Sequence, residues 1–148
     1  MRTQILLAVL TALVEANWYW GGCPDVDVIQ DFDASKYMGT WWVPRQVKNL
    51  PYDANTRCVT ANYTLNSDGS INVLNSGLDE ETGEYESGAA KAYCEDGTSK
   101  CKVVFRPFIS GDYEVLETDY DNYAYIWSCD SYFFFHAEYG YYLARGSS

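Results

Sequence analysis

The sequence predicts an all-β domain, an eight-stranded antiparallel up-and-down β-barrel. Three observations predict it. Helical periodicity is scarce once the apolar N-terminal segment has passed. Strand-like runs bounded by turn residues follow one another through 39–145. Aromatic residues make up 17% of the chain, with 14 Tyr and 5 Trp, and such residues favour strands and line concave pockets. Consecutive short-turn hairpins give an antiparallel meander. Closing an eight-stranded meander removes its exposed edges and leaves room for one small ligand.

The strands come in order. "GTWWVPRQVK" (39–48) is the first, and Pro44 within it predicts an edge or a bulge. "RCVTANYTLN" (57–66) alternates, with Val59, Ala61, Tyr63 and Leu65 on one face and Thr60, Asn62 and Thr64 on the other. "SDGS" turns it into "INVLNSGL" (71–78), and the acidic turn "DEETGE" leads on to "YESGAAKAYC" (85–94). "EDGTS" joins that strand to "KCKVVFRPF" (100–108). "ISGD" reads as a turn before "YEVLETD" (113–119), where Tyr113, Val115 and Glu117 share a face. "NYAYIWSC" (122–129) follows, and Asp130-Ser131 reads as the turn into 132–145.

The N-terminus is a separate unit. Arg2, the apolar run "ILLAVLTALV" and the small residues Val14 and Ala16 have the layout of a secretory signal peptide over 1–16. The run is too short to span a bilayer. The expected domain is therefore 17–148, without a membrane span. A net charge of −11 disfavours nucleic acid and anionic membranes as partners, since both reward Lys and Arg.

Five cysteines in a secreted chain leave one over. Cys94 and Cys101 flank an Asp-Gly turn signal, and two strands joined there place their thiols opposite each other. The cysteine spacing contains no C-x2-C pair, so no metal is implied.

The motifs "FDASKYMGTWW" (32–42), "TDYDNY" (118–123) and "LAR" (143–145) resemble, in order and spacing, the three motifs of the lipocalin family. "CPDVDVIQDFD", "RCVTANYTL" and "TDYDNYAYIWSC" are similar to its apolipoprotein D and bilin-binding branch. The resemblance implies a lipocalin-like calyx. It assigns structural roles to Gly39, Trp41, Thr118, Asp119, Tyr120 and Arg145, with Trp41 plugging the closed end and Arg145 lying across its indole. It also implies a Cys23–Cys129 disulfide. Cys58 matches a family cysteine whose partner lies in a C-terminal tail, which makes it the odd one out. Family members continue past the eighth strand into a helix packed on the barrel. A chain stopping at Ser148 is expected to lack that helix, through truncation or because a partner replaces it. Asn62 opens an Asn-Tyr-Thr glycosylation acceptor and faces outward by alternation, and the same site recurs in apolipoprotein D-like proteins.

With the family parity, alternation assigns the cavity lining. Trp41, Val43, Val59, Ala61 and Tyr63 come from the first two strands. Val103, Phe105, Tyr113 and Val115 come from the middle, and Ala124, Ile126 and Ser128 from the seventh strand. Phe135, Ala137, Tyr139 and Tyr141 come from the eighth. The set suits a hydrophobic ligand held by buried area and oriented by tyrosine hydroxyls. The ligands that the resemblance implies are retinoids, fatty acids and other lipids, sterols, carotenoids and bilins. Arg45 near the mouth keeps a ligand carboxylate open, and Glu117 is a candidate inward acid. No cofactor is required beyond a bound chromophore or lipid.

The expected function is extracellular binding and transport of a small hydrophobic molecule. The alternative is a pigment-binding subunit of a coloured assembly, as in the crustacean carotenoid lipocalins, with Tyr123, Tyr125 and Trp127 as a homo-oligomer contact. An enzyme is not expected. The single histidine, His136, falls on the outward face, and an inward Cys or His would be needed to reopen that reading.

Overall fold

The computed structural model describes residues 17–46 and 56–146. Residues 1–16, 47–55 and 147–148 lie outside the described residues. The described strands form one antiparallel sheet: β1 (Asn17–Trp20), β2 (Gly39–Gln46), β3 (Thr56–Leu65), β4 (Ile71–Asp79), β5 (Tyr85–Cys94), β6 (Lys100–Arg106), β7 (Ile109–Thr118), β8 (Tyr123–Tyr132) and β9 (Phe135–Ala144). Strands β2–β9 pair in chain order. β9 pairs with both β8 and β2, which closes the eight-stranded barrel. The short β1 was not expected. It extends the ladder by pairing with the first half of β9, from Asn17↔Glu138 to Trp20↔Phe135.

Each inward face is built by period-two alternation. Ala61 and Tyr63, Ile71 and Val73, Ala124 and Ile126 are all buried in one cluster with Trp41, Val103, Val115 and Leu143. Where a bulge adds a residue, the alternation shifts face. Pro44 lies within the register break between Trp42 and Arg45 on β2, as its missing donor predicted. A second break lies between Val115 and Glu117. It turns Glu117 outward, where it is exposed and accepts from the Tyr123 hydroxyl at 2.5 Å, so Glu117 is not an inward acid. A third break, between Val104 and Arg106, leaves Phe105 exposed rather than lining the cavity.

Two turns fall elsewhere than expected. β7 begins at Ile109, so the hairpin tip is Pro107–Phe108, and "ISGD" belongs to the strand. Pro107 cannot donate to a ladder, and Phe108 adopts φ 70°, which makes this pair the tip. β8 runs through Asp130 and Ser131 to Tyr132, and Phe133–Phe134 make the turn.

Before β2, a one-turn helix α1 (Ala34–Tyr37) is capped by Asp33, whose carboxylate accepts from the Ser35 amide. The segment before it crosses to β6. Ser99, fully buried, accepts from the Ile29 amide at 2.9 Å and donates to the Val115 carbonyl at 2.5 Å. The Cys23–Cys129 disulfide fixes the same segment to β8, with Cα atoms 6.0 Å apart. Cys94 and Cys101 are directly paired in the β5–β6 register and bonded, with Cα atoms 3.9 Å apart. Cys58 is free and exposed.

Candidate functional site

The barrel has a sealed end and an open end. At the sealed end Trp41 is fully buried, and its Nε1 donates to the Tyr37 carbonyl at 2.8 Å. The Arg145 guanidinium lies 3.7 Å from the indole centroid, within cation–π reach. Its N–H groups also reach four backbone carbonyls: Tyr120 at 2.9 Å, Thr40 at 3.1 Å, Lys36 at 3.1 Å and Tyr37 at 3.3 Å. A fork of five donors suits this task, and a lysine ammonium does not. Gly39 holds φ at 94°, a left-handed backbone conformation that favours glycine, beside the Arg145 guanidinium.

The 118–123 turn is built for the same end. Asp119 accepts from the amides of Asp121, Asn122 and Tyr123. Hydrogen bonds from Tyr123 and Asn122 hold its carboxyl down at about 2. Thr118 donates to the Tyr123 carbonyl and accepts from the Tyr120 amide. The Tyr120 hydroxyl accepts from the Asp33 amide at 3.1 Å, joining this turn to the cap of α1. Arg145→Ala removes the stacked guanidinium and takes its donors from the Tyr120, Thr40 and Lys36 carbonyls, while the Tyr37 carbonyl keeps Trp41. We expect it to lower stability by about 2 kcal/mol without changing which ligands bind; calorimetry and a binding panel check both.

Above this floor lies a narrow pocket inside the barrel. It admits about one water-sized group. Its walls include Phe32, Ile71, Ala92, Val103, Val115 and the Cys94–Cys101 disulfide. Three tyrosines supply its polar side. The Tyr113 hydroxyl is 2.8 Å from that of Tyr37 and 3.0 Å from that of Tyr63. Burial pushes the Tyr63 phenol up to about 12 and those of Tyr37 and Tyr113 well above their ordinary value. All three are therefore neutral at physiological pH. A phenol whose folded pKa is raised contributes stability that is complete below about pH 10. That stability is lost as pH rises through the folded value. We expect a spectrophotometric titration to show Tyr63 ionising near pH 12 and Tyr37 and Tyr113 well above the ordinary tyrosine range, together with alkaline unfolding.

A family model described as a lipocalin-like domain matches residues 32–148. This chain belongs to the lipocalin family. It is 33% identical to apolipoprotein D of Mus musculus over 98% of its own length and 77% of that protein. It is 39% identical to the Lazarillo protein of Schistocerca americana over 73% of its own length, spanning about half (52%) of that relative. The structure of insecticyanin from Manduca sexta superposes with a TM-score of 0.71 at 24% identity, covering 90% of this chain and 74% of that one. At that identity the superposition speaks for the fold alone.

The lipocalin barrel can hold a small hydrophobic molecule, and of the expected lining residues Tyr63, Val103, Tyr113 and Val115 border the pocket. Trp41, Ala61, Tyr63, Val103, Val115, Ala124, Ile126 and Ala137 are buried. Val43, Tyr113 and Tyr141 pack against the core cluster, and Val59, Ser128 and Tyr139 are half-buried. Phe135 is at the mouth and 41% exposed, in ring contact with Trp18 of β1 and with Tyr132. Alternation had not drawn any lining residue from β4, β5 or the N-terminal segment. Ile71, Val73, Ala92, Phe32 and Tyr37 all join the core. The side chain of Arg45 lies outside the described part.

His136 faces outward as expected, yet it is buried. β1 covers it: Tyr19 stacks on its ring at 5.4 Å, its Nδ1 lies 3.0 Å from the Gly21 carbonyl, and its Nε2 lies 3.0 Å from Glu138. The half-cystines Cys94 and Cys101 do line the pocket, but as a disulfide, which offers no thiolate. The lipocalin fold is one that carries ligands. The outward aromatics of β8 are partly engaged. Tyr123 donates to Glu117, Trp127 Nε1 donates to Glu138 at 3.3 Å, and Tyr125, still 46% exposed, packs on Tyr142. The most exposed apolar side chains lie instead around the open end, on Trp20, Phe108, Phe133 and Phe134. Among the described residues, no helix is long and apolar enough to cross a membrane.

Proposed function

We propose that this lipocalin is a secreted carrier that binds one small hydrophobic molecule in the barrel, entering past the aromatic open end. The observation that carries this reading is the apolar pocket above the Trp41–Arg145 floor, with its polar groups gathered in one tyrosine cluster. The signal-like 1–16 segment and two disulfides support passage through an oxidising compartment. Asn62 lies on the outward face of β3, where its Nδ2 donates to Thr40 at 2.7 Å, and it is the proposed glycan site. A lipid, retinoid, sterol, carotenoid or bilin is the proposed ligand range, and the kinship with apolipoprotein D supports a lipid. The test is native mass spectrometry with an absorption spectrum, on protein purified from its source. A 1:1 adduct of a small hydrophobic molecule is expected. Bare polypeptide that also fails to bind added retinol saturably would overturn the reading.

A second reading, a pigment-binding subunit that assembles, is favoured by the exposed aromatics at the open end. Light scattering with and without ligand separates the two. The carrier stays monomeric, whereas the subunit colours only on assembly.

A further inference from the structure

We infer that the ligand ends in a neutral single-oxygen group, a ketone, aldehyde or alcohol, and that this oxygen is bound down on the Tyr37–Tyr113–Tyr63 cluster with the apolar body toward the mouth. The inference rests on the carrier reading and narrows it.

Proton counting is the first ground. Three phenols bring three protons, and the two hydroxyl contacts at 2.8 and 3.0 Å consume two of them. One proton stays unspent whichever way the chain of hydroxyls runs. Each of the three oxygens has a partner, yet the two contacts within the cluster leave that proton over. A buried donor without an acceptor is costly, so the cluster selects a molecule that brings an acceptor. An alkane brings none, and an ammonium brings only more donors.

Charge is the second ground. Burial keeps the phenols neutral, so they do not balance a cation. A carboxylate would need a cation beside it when taken out of water. Arg145 is the guanidinium at this end, and it is spent on four carbonyls and on the Trp41 ring beneath the floor. The other pocket walls are apolar side chains and a disulfide.

Size is the third ground. The open part of the pocket admits one water-sized group, which matches a carbonyl or hydroxyl oxygen. The remaining body then extends from the cluster toward the open end of the barrel.

The experiment is a calorimetric binding panel on the full chain, using an alkane, primary alcohol, methyl ketone and carboxylate of one chain length. The alcohol and ketone should bind roughly tenfold tighter than the alkane and the carboxylate. In the Tyr37→Phe/Tyr63→Phe/Tyr113→Phe variant that advantage over the alkane should vanish while alkane binding persists. Replacing hydrogen-bonded partners together by isosteres of the same shape is nearly neutral for stability, so this variant should fold. The infrared carbonyl stretch of the bound ketone should sit at lower frequency in the wild type than in hexane. Equal affinity for all four probes overturns the inference alone. An unshifted carbonyl stretch does the same. Failure to bind any probe, the alkane included, overturns the carrier reading and this one with it. The wild-type comparison and the infrared signature decide the matter even where the variant does not fold.

Discussion

Trp41→Ala should lower stability by about 3–5 kcal/mol and the melting temperature by more than about 10 °C. Trp41 is fully buried, so truncation removes a large apolar volume at the point where β2, α1 and the barrel floor meet. It also strands the Arg145 guanidinium, which loses the ring 3.7 Å beneath it. The Tyr37 carbonyl loses its 2.8 Å donor. Tyr37 packs on the Trp41 ring at 5.0 Å and on Tyr63 at 5.5 Å, so the damage reaches the tyrosine cluster. Thermal unfolding by calorimetry, with ligand binding measured below the transition, separates the two effects. A loss under about 1 kcal/mol would mean that the floor does not hold the barrel.

Removing the long-range disulfide, by Cys23→Ser with Cys129→Ala, should cost about 4 kcal/mol. The bond spans a sequence separation of 106, and a loop of that length restrains the unfolded chain strongly. Ala at position 129 avoids placing a hydroxyl in a site that is only 2% exposed. The loss should be felt first in the segment the bond anchors. Hydrogen exchange at Ile29 and Ser99, whose amides are held by the Ser99 hydroxyl and the Ile29 carbonyl, should accelerate more than exchange at the centre of β3. Uniform acceleration would show that the bond acts on the whole barrel rather than on its N-terminal strap.

Alternation was a reliable guide where strands run without interruption. Ala61 and Tyr63 on β3, or Ala124 and Ile126 on β8, sit on their expected faces because the pleat allows one assignment per register. It failed at bulges. The extra residue at 115–117 carries Glu117 to the outer face, and the one at 104–106 exposes Phe105, and neither break has a Pro or Gly to announce it. Pro44 did announce its own. β1 escaped because "NWYW" carries aromatics on both faces and has no period, and His136 looked solvent-facing for want of that strand. Phe32 and Tyr37 sit on a cap and a single helical turn, too short for any periodic signal. The tyrosine cluster joins positions 37, 63 and 113, which no local spacing connects; only barrel closure brings their hydroxyls within 3.0 Å of Tyr113. The Asp-Gly turn between Cys94 and Cys101 was the opposite case, since a tight hairpin fixes the pairing locally.

Methyl NMR during titration with the methyl ketone probe tests most directly whether the ligand sits inside the barrel. Methyls of Val73, Val103, Val115 and Ile126, all buried in the core cluster, should shift together and saturate at one equivalent. Those of Leu74, exposed on the outer face of β4, should stay still. Shifts confined to Ile109 at the open end, or a response that never saturates, would contradict binding within the cavity.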